Sequence, residues 1–283
     1  MILDSACIPC IINQAYNVSR LTAKNNKVLQ VKIMKKVCSA LTHIDENAPA
    51  PLFTLTMQRI VENAIGKRNI YKDIKKKNIA KVKGMVSYFD ELMKNASDRL
   101  EMAIRIAIAG NTIDVAANPH FDAMREISQI THNSIDRKAY KHFQNDIKKA
   151  SVILYIGDNY EEALFDKVLL TMLNARRLVF AVRSYPILND VTLEDARRLK
   201  INKVCEVIES GSKIAGTDLD KCTDEFRELF KTADVVIAKG QGNYETLMDV
   251  DRPIYFLFKV KCEAIARRSG LPIGTSALYL NQR

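Results

Sequence analysis

Asp158, Asn159 and Asp190 have the side chains in this 283-residue sequence best suited to holding a hard cation. Asp158 and Asn159 lie in Gly157-Asp158-Asn159-Tyr160-Glu161-Glu162, directly after the apolar run 152–156. Asp190 follows a second apolar run, 178–182, within Asn189-Asp190-Val191-Thr192. Carboxylate and amide oxygens of this kind suit a divalent ion such as Mg²⁺ or Mn²⁺. Asp and Asn are also common caps of a following helix. Residue type alone leaves both roles open.

A second group can offset negative charge. Lys239-Gly240-Gln241-Gly242-Asn243-Tyr244-Glu245 follows a fourth apolar run, and Arg183 follows the second. Lys239 and Arg183 can neutralise an anion beside a metal, or they are ordinary solvated surface residues. Gly240 and Gly242 let backbone N–H groups approach a phosphate. The spacing is not that of a P-loop, and it lacks the third glycine of a dinucleotide fingerprint. Asn111 and Asp114, in Gly110-Asn-Thr-Ile-Asp114, are site residues only if the fold brings them to the same cleft. Otherwise they form a helix-terminating turn after Gly110. Cys7 and Cys10 are three apart. They are half of a zinc site that Cys262 or Cys38 could complete, a redox dithiol, or two buried thiols at a helix start.

The elements that must position these residues change character along the chain. Over the first hundred residues apolar positions recur at three- and four-residue steps, as in Ile70, Ile74, Ile79, Val82, Met85, Val86 and Phe89. That period predicts helices. A further helix is predicted over 96–109. From about residue 150, β-branched runs at 152–156, 178–182, 204–208, 234–238 and 254–258 alternate with amphipathic stretches at 161–175, 193–200 and 218–231. Continuous apolar strands separated by helices predict an α/β fold with a mostly parallel sheet covered on both faces. The division is an N-terminal helical domain, 1–95, and an α/β/α domain, 96–283. In open parallel sheets ligands bind at the carboxyl ends of strands. The clusters around Asp158, Arg183, Asp190 and Lys239 follow strands on that edge.

The sequence has 43 Lys and Arg against 33 Asp and Glu, a formal net charge of +10. Such a balance suggests an anionic partner. Residues 67–83, however, hold eight bases against the single acid Asp73, so one helical segment carries most of the excess. Its lysines are expected to face solvent or a domain edge. Tryptophan is absent and aromatics are only 7%, which leaves few stacking platforms and argues against nucleic acid. No apolar run approaches the roughly 20 residues that span a bilayer, and the start lacks a signal-peptide pattern. Six cysteines are too few for a disulfide scaffold and suit a reducing cytoplasm. Nothing in the sequence specifies an oligomeric state.

Four motifs in order make the constellation recognisable: Gly110-Asn-Thr-Ile-Asp114, Gly157-Asp-Asn-Tyr-Glu-Glu-Ala-Leu-Phe-Asp166, Asn189-Asp-Val-Thr192 and Lys239-Gly-Gln-Gly-Asn-Tyr-Glu245. Together they resemble the metal-dependent damage-control phosphatases, also known as domain of unknown function 89 or the acidic-residue methyltransferase-like family. Cys7-x-x-Cys10 followed by Gln14 is similar to the compact archaeal-type branch. The resemblance spans nearly the whole chain. It implies a Rossmann-like three-layer α/β/α core with a helical domain. It further implies a divalent cofactor (Mn, Mg, Co or Ni) and hydrolysis of small phosphorylated metabolites such as sugar phosphates. By resemblance Asp158, Asn159 and Asp190 match the metal ligands, with Asp158, Asp190 and Lys239 catalytic. Asn111 and Asp114 match polar residues near the metal, and Lys239 and Asn243 the phosphate-binding motif, with Arg183, Gly240 and Gly242 beside it. Glu161 and Asp166 are expected to hold the ligands in place. Tyr160 departs from the family, where small residues are frequent, and is expected to narrow the pocket.

Two routes of hydrolysis fit that reading: in-line attack by metal-activated water, or a phosphorylated Asp158. The Asp-x-Asp pattern of aspartate-nucleophile phosphatases is absent, which favours water. Competing functions are a carboxyl methyltransferase using S-adenosylmethionine, for which no glycine-rich methyl-donor motif is present, a nucleic-acid-binding protein, and a non-catalytic metabolite-binding protein.

Overall fold

A computed structural model describes residues 2–110 and 135–281. Helices α1 (Cys7–Ala23), α2 (Lys27–Leu41), α3 (Thr54–Ile65), α4 (Lys72–Lys83), α5 (Val86–Asn95) and α6 (Arg99–Gly110) come first. After α7 (Arg137–Lys149), strands and helices alternate: β1 (Val152–Ile156), α8 (Ala163–Leu170), β2 (Arg177–Val182), α9 (Leu193–Arg198), β3 (Glu206–Glu209), α10 (Asp224–Thr232), β4 (Val235–Lys239), α11 (Gly240–Leu247), β5 (Tyr255–Lys259), α12 (Glu263–Ser269) and β6 (Ser276–Leu280).

The strands form one sheet in the order β3-β2-β1-β4-β5-β6. The first five run parallel, and β6 pairs antiparallel with β5, Tyr255 opposite Leu280. Side chains alternate faces along each strand. Ile153, Tyr155, Phe180, Val182, Ile237 and Leu257 pack with α5–α9 in one core. Leu154, Ile156, Val179, Ala181, Ala238, Phe256 and Phe258 pack with α10, α11 and α12 in another. Helices therefore cover both faces, in an α/β/α sandwich. A third cluster ties α1–α3 to Ile187 and Leu188, in the loop after β2.

Several boundaries differ from the sequence reading. The helical pattern over 70–89 is broken at Gly84 and Met85 into α4 and α5. Glycine disfavours helix, and the turn lets Val82, Met85 and Phe89 all enter the core. The run at 204–208 pairs only from residue 206, because Cys205 N–H still closes a turn on Ile201. The stretch 161–175 is helical only over Ala163–Leu170, and 218–231 begins its helix at Asp224, capped by Thr223. The edge strand β6 has only a short, partly exposed pattern, so no long apolar run announces it. Gly110 lies within α6 and is a packing glycine: a Cβ there would stand 2.9 Å from Glu162 Cγ and 3.0 Å from Phe165.

Candidate active site

The switch between β1 and β4, where chain connections depart in opposite directions, places the loops after β1, β2 and β4 side by side. Gly157 opens the first loop against Phe180, whose Cζ would lie 2.6 Å from a Cβ there. Two backbone bonds then zip the β1 and β2 loops together. Tyr160 N–H donates to Asn189 O at 2.8 Å, and Val191 N–H donates to Asp158 O at 2.8 Å. The result is a short antiparallel bridge of Asn159 with Asp190. Asp158, Asn159 and Asp190, distant in sequence, line one cleft.

Arg183 sits beneath these acids, 1% exposed. Its Nε donates to Asp190 Oδ2 at 2.8 Å, and its two terminal nitrogens donate to Thr217 Oγ1 at 3.3 Å and Asn243 Oδ1 at 3.0 Å. The second of these nitrogens is 3.9 Å from Asp158 Oδ1. Thr217 also donates to Asn243 Oδ1 at 2.8 Å. The Asn243 amide spans Lys239 O at 2.7 Å and Gly157 O at 3.2 Å, locking β1 to β4. Arg183 and Asn243, expected at the phosphate, thus order the acids and strand ends, and neither lines the cleft.

Lys239 differs most from expectation. It is fully buried, and its ammonium pairs with Glu162, with Asp166 Oδ1 at 2.7 Å and with Ala107 O at 2.9 Å. It points beneath the sheet edge, away from the cleft lining, because two buried carboxylates on α8 and its preceding turn claim its charge. Asp166 also accepts from Tyr155 Oη at 2.8 Å. Glu162, not singled out in the sequence, receives Asn159 Nδ2 at 3.0 Å. The same Nδ2 donates to Asp158 Oδ2 at 3.0 Å, leaving Oδ1 as the amide's open end. Glu161 is buried beside Asn189, whose amide donates to it at 3.4 Å.

Burial pushes Asp158 well above the ordinary carboxylate range, and the Asp190 and Glu162 charges add to the rise. Burial also raises Asp190, with Arg183 opposing. Burial lifts Glu161 and Asp166 to about 7. Such crowding of acids disfavours their charged forms unless a cation joins them. The donor set, two carboxylates and an outward amide oxygen, is the hard-oxygen set of a divalent ion. Asp190 Oδ1 accepts no hydrogen bond among the described residues. The residues present fit such an ion.

Gly240 has φ +79°, and a Cβ there would lie 1.8 Å from Asp158 Oδ2. Gly242 lies against Ala215 O, 2.1 Å from where its Cβ would be. Both glycines serve close approach, the first of α11 to the Asp158 carboxylate.

The cleft has a volume of about 430 Å³. Its far wall is α1, where Cys10, Asn13, Gln14 and Asn17 share a face. Asn189, Gln241, Glu245 and Lys261 complete its polar lining. Asn13 and Asn17 gave no signal in the sequence beyond helical spacing from Cys10. Tyr160 is absent from the lining; it packs in the core near Lys75, so it does not narrow the cleft. Cys7, Cys10 and Cys262 share the cleft wall, whereas Cys38 is exposed on α2. No three His, Cys, Asp or Glu side chains among the described residues are arranged to hold an ion, which leaves the paired thiols without a completed zinc site. Asn111 and Asp114 lie outside the described residues.

The architecture defines a Rossmann-like α/β/α protein with an acid-and-amide site at the carboxyl ends of its parallel strands. Residues 3–276 match the damage-control phosphatase ARMT1-like domain, and the chain belongs to that family. An uncharacterised protein of Methanocaldococcus jannaschii is 32% identical, over 96% of this chain and 93% of the relative. A damage-control phosphatase of Pyrococcus horikoshii is 30% identical, over 98% and 97%. The crystal structure of a DUF89 family protein from Pyrococcus horikoshii covers 100% of both chains, with a TM-score of 0.87 at 29% identity.

Proposed function

We propose that this protein is a metal-dependent phosphatase of small phosphorylated metabolites, acting in metabolite damage control. The observation that carries the reading is the zipped pair of loops that sets Asp158, Asn159 and Asp190 together in the cleft. Two relatives named damage-control phosphatase, aligned over nearly the full chain, support it.

Asp158, Asn159 and Asp190 would hold a divalent ion, Mn²⁺, Mg²⁺, Co²⁺ or Ni²⁺. Such an ion, when bound, polarises a phosphoryl oxygen and activates water. Arg183 fixes the Asp190 carboxylate from behind. Glu162 fixes the Asn159 amide, and Lys239 balances Glu162. Five carboxamides, Asn13, Gln14, Asn17, Asn189 and Gln241, line the space beside the acids. Asn189 and Gln241 are partly engaged by Glu161, Glu245 and the Lys261 backbone, whereas the three on α1 offer both donors and an acceptor, the chemistry that recognises hydroxyl groups. That wall favours a polyhydroxylated leaving group, as in a sugar phosphate. Water is the nucleophile in this reading, and Asp158 serves as a ligand.

The test is phosphate release from p-nitrophenyl phosphate and sugar phosphates with each metal, and its loss with EDTA. Asp158→Ala and Asp190→Ala are expected to stay folded and lose activity. Full activity in both would refute the site, and a phosphorylated Asp158 trapped during turnover would refute the water route.

A further inference from the structure

Hydrolysis of a sugar phosphate expels an alkoxide, which needs a proton as its bond to phosphorus breaks. Lys239 and Arg183 cannot supply it, because neither lines the cleft and buried carboxylates hold both. Asp158 and Asp190 are taken up as metal ligands in the phosphatase reading. Among the described residues that line the cleft, Glu245 is the one further carboxyl.

Glu245 is 8% exposed and lies on α11, one turn after Gln241 on the same face. Gln241 Nε2 donates to its Oε1 at 2.9 Å and fixes the side chain. Gln241 is held in turn, its Oε1 accepting the Lys261 N–H at 3.0 Å. Glu245 Oε2 accepts no hydrogen bond among the described residues. The carboxyl is thus buried, with one oxygen anchored and the other open. The helix α11 begins against the Asp158 carboxylate at Gly240, and Glu245 lies about 7.5 Å further along its axis. That interval is the size of a phosphoryl group with its ester oxygen.

The other titratable groups near it are thiols. Cys7 and Cys10 on α1 and Cys262 before α12 line the same cleft, and a charge on Glu245 is felt at both α1 thiols. Burial pushes Cys7 and Cys10 above the ordinary thiol value of 9.0, so they hold their protons too tightly to compete. Burial holds the Glu245 carboxyl at about 7, where a group can both carry a proton and release it at neutral pH.

We infer that Glu245 is the general acid of this cleft, the catalytic residue that gives its proton to the leaving-group oxygen. The inference rests on the phosphatase reading. The oxygen of water bonds to phosphorus as the bond between phosphorus and the ester oxygen breaks. The Glu245 proton passes to that ester oxygen, which leaves as an alcohol. The proton lost by the attacking water restores the carboxyl through solvent, so one ester and one water give one alcohol and one phosphate.

The test compares two substrates on the full chain with the metal that supports the fastest turnover. One is p-nitrophenyl phosphate, and the other is the sugar phosphate that the wild type hydrolyses fastest. p-Nitrophenolate leaves without a proton because its ring spreads the charge, whereas a sugar alkoxide does not. Glu245→Gln keeps the shape and the Gln241 contact but has no acidic proton. It is expected to lower kcat on the sugar phosphate about a hundredfold with little change in KM, and on p-nitrophenyl phosphate by less than about threefold. Its Mg²⁺ affinity by calorimetry is expected to match the wild type, and a marked fall there would make Glu245 a metal ligand and overturn the inference. Equal losses on both substrates, or no loss on either, overturn it and leave the phosphatase reading standing. A wild type that hydrolyses p-nitrophenyl phosphate alone overturns it as well, since no alkoxide then leaves. Hydrolysis of neither substrate with any metal overturns both.

Discussion

Lys75 Nζ donates to the main-chain carbonyl of Asp190 at 2.5 Å, so a helix of the N-terminal region holds the acid loop of the sheet. The same ammonium pairs with Asp195 Oδ2 at 2.7 Å. Asp195 in turn forms the capping box of α9 with Thr192. One lysine therefore joins α4, the Asp190 loop and the start of α9. It comes from the basic segment expected to face solvent or a domain edge, and it takes the second course, only 5% exposed.

Lys75→Met should therefore act at a distance. It leaves the Asp195 carboxylate buried without its cation and frees the Asp190 loop. A loss of about 3 kcal/mol in urea unfolding is expected, with weaker Mg²⁺ binding by calorimetry. Unchanged stability and unchanged Mg²⁺ affinity would show that the contact holds nothing.

Lys239→Met separates a buried ion-pair role from a phosphate-binding role. Removing the cation strands Glu162 and Asp166, and a stability loss of about 3–5 kcal/mol is expected. Adding Glu162→Gln and Asp166→Asn should recover much of it. A single variant of normal stability that lost only phosphate affinity would restore Lys239 as a ligand.

Gly240→Ala is expected to remove activity at modest cost to the fold. The new Cβ would meet the Asp158 carboxylate, and φ +79° is strained for alanine by about 1–2 kcal/mol. Thermal unfolding and Mg²⁺ titration measure the two effects separately. Wild-type Mg²⁺ affinity would mean that Asp158 moves aside freely.

Stability should fall with rising pH in the metal-free protein. Burial holds the Glu245 carboxyl at about 7, above its ordinary 4.5. The folded state thus keeps a proton that the unfolded state has released between those values. The Glu245 contribution is full below about pH 4.5, declines as pH rises to about 7, and then levels, a drop on the order of 3 kcal/mol. Glu245→Gln should reduce that slope in urea titrations from pH 4 to 8. An identical slope would assign the dependence to other groups.

Much of the framework was legible from local pattern. Apolar runs broken by amphipathic stretches specify a covered parallel sheet, because burial on both faces demands continuous hydrophobic strands. The edge strand β6 escaped, since an antiparallel edge carries little apolar signal. Asp158, Asn159 and Asp190 stood out because acids directly after such strands must fall on one edge of the sheet.

What sequence alone determined was which residues reach that edge. Only the tertiary structure decided which of them face the cleft and which turn inward to balance charge. Lys239 and Arg183 read as cations for an anion beside the metal, yet buried carboxylates claim both. Lys75 read as one lysine among many, yet it binds the Asp190 loop across 115 residues. A charged side chain takes the partner that offsets its desolvation, and that partner is chosen by contacts far apart in the chain. The +10 balance read from composition therefore says little about the site, where buried pairs leave Lys261 as the described cation lining the cleft.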